Sequence, residues 1–290
     1  MNSTLSVIIL TANERLHIRR CIEKIKPLAR EVFVVDCHST DGTQAIAQAC
    51  GARVVEHDWP GNQADQLNWA IDHLPITGDW VLRLDADEYL TDALKTEIET
   101  KLDALPAEVA GVTMSFRVVF MGKQLRFGMP RVELLRLWRR GLATCERRKM
   151  DEHMVLTAEG RIVRFNGYFV DDNRNDLVWW TQKHLGYARR EVEALQQMDS
   201  APPGLSAQAA RKRRAKGVYA KLPLFWRSAA YFLFRYVVLL GFLDGRAGFL
   251  RAFLQAWWYR TLVDALLYEA ALETTQESAA EPEGAQHPLE

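Results

Sequence analysis

Leu5 to Leu10 reads Leu-Ser-Val-Ile-Ile-Leu, an almost unbroken apolar run of strand length. A run without alternation suits a strand covered on both faces, as in a parallel sheet. Past Thr11-Ala12-Asn13-Glu14 the spacing becomes helical, and Leu16, Ile18, Cys21, Ile22 and Ile25 predict a helix that stops near Pro27. Val32 to Val35 predicts a second strand, closing on Asp36. Cys37 to Thr43 carries turn chemistry into a helix that ends near Gly51. A third strand is predicted from Arg53 to Glu56 and a helix from Gln63 to Leu74. Gly78-Asp79 then leads into a strand ending on Asp85. Strand and helix alternating in this way predict a doubly wound α/β domain.

The later chain changes character. Leu134 to Gly141 reads as a strand with a basic end, followed by Met150-Asp151-Glu152-His153-Met154. Leu177 to Leu195 has the spacing of an amphipathic helix carrying Trp179, Trp180 and Tyr187. A turn at Ala201-Pro202-Pro203-Gly204 precedes the basic run Arg211 to Lys216. From Leu222 to Tyr259 the chain is aromatic and aliphatic, broken by Arg227, Arg235, Asp244, Arg246 and Arg251. A bilayer-spanning helix needs about 20 successive, mostly apolar residues, and the arginines and Gly241 to Gly245 argue against one. Short helices rich in Trp, Tyr and Arg suit the plane of a membrane interface instead, with the basic run facing anionic headgroups. The expected division is a catalytic domain over 1–175, a membrane-associating helical region over 176–268, and a disordered acidic tail over 269–290. The catalytic domain would split into halves at 1–104 and 105–175.

Composition narrows the class. Lys and Arg number 37, as do Asp and Glu, so a nucleic-acid partner is not expected. Four cysteines without C-x-x-C spacing point to a reduced, cytosolic setting with no structural zinc. The first residues lack the pattern of a signal peptide.

Asp85-Ala86-Asp87 is the sharpest chemical signal. Two carboxylates at a strand end can hold a hard divalent cation, Mn²⁺ or Mg²⁺, which is usually bound through one or two carboxylates plus substrate phosphates. Ligands of open α/β sheets bind beyond the carboxyl ends of the strands. Thr11 to Glu14, Asp36 to Thr43 and Asp85 to Glu88 all fall there. No G-x-G-x-x-G follows the first strand and no P-loop is present. A nucleotide diphosphate held through a cation fits that combination.

These segments resemble the family-2 glycosyltransferases, which have the GT-A fold, a Rossmann-like mixed sheet flanked by helices. Ser6 to Glu14 is similar to that family's opening strand and loop, Val34 to Thr43 to its second-strand motif, and Asp85-Ala86-Asp87 stands where it keeps its metal motif. The resemblance implies that Thr11, Asn13, Glu14, Asp36, Ser39, Gln63, Asp85 and Ala86 line the nucleotide sugar, with Asp36 accepting from the base. It implies that Asp87 and Asp85 bind metal; His153, beside the candidate bases, is read as a further metal or phosphate ligand. The acceptor hydroxyl would lose its proton to Asp151 or Glu152, with Glu152 preferred. Cys37-His38-Ser39 replaces the family's frequent Asp-Gly-Ser, and no basic residue stands between Gln63 and Asn68 to meet the diphosphate. Arg131, Arg136, Arg139 and Arg147 are further cations that could do so.

Trp59-Pro60-Gly61 and Gly241 to Phe249 extend the resemblance to bacterial lipopolysaccharide-core β-glucosyltransferases, up to about Leu267. The implied activity is inverting, metal-dependent transfer from a UDP-linked sugar to a lipid-linked saccharide or lipopolysaccharide-core acceptor. It would take place at the cytoplasmic face of a bacterial inner membrane, with the protein held peripherally or monotopically. The competing readings are a nucleotide-sugar-binding scaffold without turnover and a sugar nucleotidyltransferase, which would carry a glycine- and lysine-rich loop after the first strand.

Overall fold

The computed structural model describes residues 4–147, 152–196, 217–219 and 221–280. Asp151, the turn at Ala201 to Gly204, the basic run at Arg211 to Lys216 and residues 281–290 lie outside these.

The apolar run becomes β1 (Leu5–Thr11), buried along nearly its whole length. It pairs in parallel with β2 (Glu31–Asp36) on one side and β4 (Trp80–Asp85) on the other. β3 (Arg53–Glu56) extends this parallel half. The remaining main strands are β5 (Glu88–Leu90), β6 (Val109–Phe120), β8 (Glu133–Arg139) and β11 (Arg161–Asp171), and the order across the sheet is β3-β2-β1-β4-β8-β6-β11-β5. β7 (Lys123–Gln124) turns back on β6, and β9 (Ala143–Cys145) pairs with β10 (Met154–Leu156) separately. β8 is antiparallel to both its neighbours and β5 is antiparallel to β11, so the sheet is mixed.

Successive side chains of a strand point to opposite faces. Val7 and Ile9 therefore join a core beneath α1 (Ile18–Ile25) and α4 (Asp92–Lys101). Ile8, Phe33 and Val35 join a second core with Ala64, Leu67 and Ala70 of α3 (Gln63–His73). α2 (Thr43–Ala49) completes the first layer through Ala47.

Beyond the sheet, α5 (Leu177–Gln196) packs on α8 (Tyr259–Ala280) through Ala188, Val192, Tyr259 and Val263. α6 (Trp226–Leu233) and α7 (Gly245–Ala252) each run on into a π-helical turn. α8 continues helically to Ala280, past Glu269, where order was expected to end.

Of the arginines that interrupt the apolar stretch, Arg227, Arg235 and Arg251 turn inward, while Arg246 is exposed. Arg227 pairs with Asp264 at 2.6 Å, both almost fully buried, and Arg235 donates to the Gly128 carbonyl at 2.6 Å. Trp226, Leu233, Val237, Val238, Leu243 and Phe242 are exposed instead. Among the described residues, no helix is long and apolar enough to cross a membrane.

His184 of α5 stacks on Trp180, ring centroids 3.5 Å apart, and its Nδ1 donates to the Trp180 carbonyl at 2.8 Å. Burial pushes its pKa down to about 4, against the pull of that hydrogen bond. An unfolded histidine titrates near pH 6.5. Between these values the unfolded chain binds the proton and the folded chain does not, so stability is complete above about pH 6.5 and falls towards pH 4. His184 should account for about 2–3 kcal/mol of that loss. Urea denaturation at pH 7 and pH 4.5 should show a clearly shallower pH dependence for His184→Phe than for the parent; equal slopes would contradict this.

Candidate active site

Strand register assembles the site. Thr11 lies beside Asp36, and Leu10 beside Asp85, so the three polar segments meet at one edge of the sheet. The first two loops are laced together. The Asn13 N–H donates to Ser39 Oγ (2.7 Å), Thr40 N–H to Asn13 Oδ1 (2.9 Å), Glu14 N–H to Thr43 Oγ1 (2.8 Å) and Arg15 N–H to Asp41 Oδ2 (3.0 Å). Asn13 and His38 adopt left-handed φ values of 57° and 53° to make these turns; a short polar side chain such as that of Asn13 tolerates this region best.

Asp36 sits at the centre, fully buried. Its Oδ1 accepts from the Ser39 N–H and Gln44 Nε2, both at 2.7 Å, and its Oδ2 from Thr11 Oγ1 (2.7 Å) and Ser39 Oγ (2.6 Å). Burial alone would raise its pKa, but these hydrogen bonds hold it below the ordinary value. A carboxylate has about four lone-pair sites, and the protein fills them. Asp36 therefore braces the two loops, and an accepted bond from a nucleotide base would have to displace one of these donors.

Asp85 lies between two buried guanidinium groups, Arg83 Nη2 at 3.1 Å and Arg136 Nη2 at 3.3 Å. Arg136 also donates to Glu88 at 2.8 Å, and Glu88 accepts the Asp85 N–H at 2.9 Å. Burial opposes ionisation of Asp85, yet Arg83 and Arg136 hold it well below the usual carboxylate range. Glu88 goes the other way: burial raises it well above its ordinary value despite Arg136, and the charges of Asp85 and Asp87 add to the rise. Neither arginine stood out for this role in the sequence; the signal was a guanidinium inside otherwise apolar strands, Val-Leu-Arg83-Leu and Leu-Leu-Arg136-Leu-Trp. Of the other basic candidates, Arg139 donates to the Val109 carbonyl and caps Trp80 at 4.5 Å, and Arg147 pairs with Asp65.

Asp87 is less encumbered. Its Oδ2 accepts from Asn173 Nδ2 at 2.9 Å, and its backbone carbonyl is fixed by Arg20 and by the Asp172 N–H. Arg20 in turn pairs with Asp172. Burial, joined by the charges of Asp87 and Asp85, pushes Asp171 up to about 7. Burial is the larger cause, and the smaller part due to Asp87 and Asp85 is what a divalent cation there would relieve. Among the described residues, no group of three His, Cys, Asp or Glu side chains is placed to hold a metal. His153 does not complete one: it packs against Glu146 (Nδ1 to Oε1 3.2 Å) on a different wall from Asp87.

Two cavities meet here. A cleft of about 770 Å³ is lined by Thr11, Glu14, Trp59, Gln63, Arg83, Arg136, Glu152 and His153. Of the two candidate bases, Glu152 thus borders the cleft, and Asp151 lies outside the described residues. Gln63 opens α3, whose first turn is capped by Asn62 accepting the Asp65 N–H at 2.8 Å. Gln66 is committed to His57 and Cys37, and Asn68 pins β9 through Cys145. A second cavity of about 680 Å³ holds Asp87, Asp171, Asn173, Trp180, Arg251 and Gln255. Trp179, Lys183 and Tyr187 of α5 line both. Lys183 supplies the cation that α3 lacks: desolvation at the cleft mouth lowers its pKa, but Tyr187, Asp87 and Glu14 more than offset this and favour its charge.

Comparison with known proteins gives a consistent picture. The family described as Glycosyl transferase family 2 matches residues 6–169, more than half of the chain. An uncharacterized glycosyltransferase of Rickettsia bellii (strain RML369-C) is 41% identical over 99 residues, covering 34% of this chain and 33% of that protein. The lipopolysaccharide core biosynthesis glycosyltransferase LpsC of Rhizobium meliloti (strain 1021) is 32% identical over 123 residues, 41% of this chain and 44% of that one. The match thus spans about a third of the first relative's length and under half of the second's. Among solved structures, glucosyl-3-phosphoglycerate synthase from Mycobacterium tuberculosis, in complex with Mn²⁺, UDP and glucosyl-3-phosphoglycerate, is 27% identical over 40% of this chain and 44% of its own. At a TM-score of 0.32 the two chains as wholes do not superpose.

Proposed function

Because this chain belongs to glycosyl transferase family 2, we propose that it transfers a sugar from a UDP-linked donor to a lipid-linked saccharide or lipopolysaccharide-core acceptor, with inversion at the anomeric carbon. The observation that carries this reading is the meeting of Thr11, Glu14, Gln63, Arg83, Arg136 and Glu152 on one cleft, with Asp85 paired to Arg83 and Arg136 and Asp87 lining the adjoining cavity. The nucleotide lies against the laced loops, which Asp36 and Ser39 hold open. Asp87, with Asp85 beside it, would hold a Mn²⁺ or Mg²⁺, which would supply positive charge to the departing diphosphate. Lys183 adds charge from α5. Glu152 takes the proton from the acceptor hydroxyl, whose oxygen forms the new bond at the anomeric carbon as the sugar–phosphate bond breaks and UDP leaves. The likeness to LpsC supports this acceptor class.

Thermal unfolding with UDP-, GDP-, CMP- and dTDP-linked sugars, each with and without Mn²⁺, tests the donor. The expected result is a rise in Tm confined to UDP-sugars and dependent on Mn²⁺. No shift with any of them, in folded protein, would remove the donor assignment.

The inverted burial of the C-terminal helices supports a membrane-bound acceptor. Arg227, Arg235, Asp244, Arg251 and Asp264 face inward while Trp226, Leu233, Val237, Val238, Phe242 and Leu243 face outward, more than a scattering of single residues. Such a face suits the headgroup boundary of a bilayer rather than its interior. The full chain should sediment with vesicles of phosphatidylethanolamine and phosphatidylglycerol, and Trp226→Glu with Leu233→Glu should cut the bound fraction at least tenfold. A parent protein that stays in the supernatant would refute the membrane assignment.

A further inference from the structure

We infer that the second cavity is the acceptor-saccharide site, and that Arg251 and Gln255 of the C-terminal helices hold the saccharide there. This rests on the glycosyltransferase reading above and assigns a substrate site within it.

The cavity's size, about 680 Å³, is that of a small-molecule site. Its chemistry is that of a carbohydrate pocket. A pyranose offers an apolar C–H face and a rim of hydroxyls. Trp179 and Trp180 can cover the former; Asp171 can accept from the latter while a guanidinium and an amide donate to them. Asp87, Asp171, Asp172 and Asp176 line the same space beside Arg174, Lys183 and Arg251; the nucleoside is assigned to the neighbouring cleft, with its diphosphate at the border near Asp87. Trp179, Lys183 and Tyr187 border both spaces. A saccharide lodged in the cavity can therefore pass its terminal sugar across that border towards Glu152.

Arg251 is the independent pointer to a ligand. Its side chain lines the cavity at 9% exposure, and its Nε has no hydrogen-bond partner. Among the described residues no carboxylate forms an ion pair with it. A buried cation left so incompletely partnered is costly, and a hydroxyl-bearing ligand would supply what is missing. Gln255 is oriented for the same task. Its Oε1 accepts from Arg235 Nη1 at 2.9 Å, which leaves its amide N–H₂ as the group free to donate.

The backbone is built to keep both residues in place. Asp244 Oδ2 accepts the Arg126 and Phe127 N–H groups at 2.9 and 2.8 Å. Gly248 lies so close to the Gly241 carbonyl that any Cβ would collide with it, and the Gly128 N–H donates to the Leu239 carbonyl at 2.8 Å. The Gly241 to Phe249 motif thus docks the start of α7 against the loop that follows β7.

The test titrates two probes separately into the full chain with Mn²⁺ by calorimetry: UDP, and core oligosaccharide released from lipopolysaccharide by deacylation. Arg251→Ala and Gln255→Ala should each weaken oligosaccharide binding at least tenfold and leave UDP binding within twofold. Gln255 is only half-buried, so its variant keeps the test open if Arg251→Ala fails to fold. Unchanged oligosaccharide affinity in the folded variants, or none in the parent, with UDP still bound, overturns the acceptor site alone. Failure of UDP to bind the parent overturns the donor reading and the site with it.

Discussion

Asp87→Asn should lower kcat/KM for sugar transfer by about 10³-fold, equivalent to about 4 kcal/mol of lost transition-state stabilisation, while the protein stays folded. The structure separates the two effects. The Asp87 backbone is fixed by Arg20 and Asp172, and an asparagine can still accept from Asn173 through its own carbonyl oxygen. What the change removes is the negative charge. Loss of that charge also relieves Asp171, so Tm should hold or rise slightly at neutral pH. The Mn²⁺-dependent part of the UDP-induced Tm shift should vanish together with activity. Activity within threefold of the parent would sink the assignment of Asp87 to the metal and diphosphate, whatever the stability shows.

The largest effect on stability is expected at Arg136. It is buried between Asp85 and Glu88, and it stacks over Phe169 at 5.3 Å. Removing one partner of a buried charge network strands the others and costs about 3–5 kcal/mol. Two features set Arg136→Met near the lower end. Arg136 Nε and Nη1 already lack partners, so their desolvation cost disappears with the side chain. Glu88, with its raised pKa, can take up a proton rather than remain a stranded charge. Arg136→Met combined with Glu88→Gln should recover at least about 1 kcal/mol relative to the sum of the single variants, because the two side chains share a hydrogen bond. Urea denaturation of the four proteins in one detergent buffer measures this. A loss under about 1 kcal/mol for Arg136→Met, or strict additivity in the double variant, would mean that the network does not support the strand ends as described.

Both effects depend on contacts between segments far apart in the chain, and this divides what could be read from the sequence from what could not. The parallel half of the sheet was legible because each cue is local. Leu5 to Leu10 and Val32 to Val35 are apolar without alternation because helices cover both of their faces. The polar segments at their carboxyl ends meet because parallel strands bring equivalent ends together. α3 and α5 begin and end within a residue or so of the expected positions, since their apolar spacing is strong. The closing helix runs past its expected end at Glu269: composition alone does not report that a polar segment can continue an already nucleated helix.

The site was legible as a set of residues but not as a set of bonds. Asp36 was expected to face a base; that it also braces two loops could not be read, because its partners Ser39, Gln44 and Thr11 come together only when the turn closes and β1 lies beside β2. His153 reads as a metal or phosphate ligand in the string Asp-Glu-His; its contact with Glu146 and its place on the cleft rather than beside Asp87 are set by the fold. Lys183 reaches the cleft only because α5 crosses its mouth.

The sequence by itself determined the strands of the parallel half, their buried faces and the carboxylates at their ends, but not β6 or β11, because hydrophobic period and residue chemistry are properties of neighbours in the chain. The tertiary structure decided which charges meet. β8 brings Arg136 to Asp85 from an antiparallel strand, and α8 brings Asp264 to Arg227, so that arginines read as breaks in an apolar stretch became its buried centre. A charge is stabilised or left costly by what lies within a few ångströms of it, and residues distant in sequence reach that range only once the chain has folded.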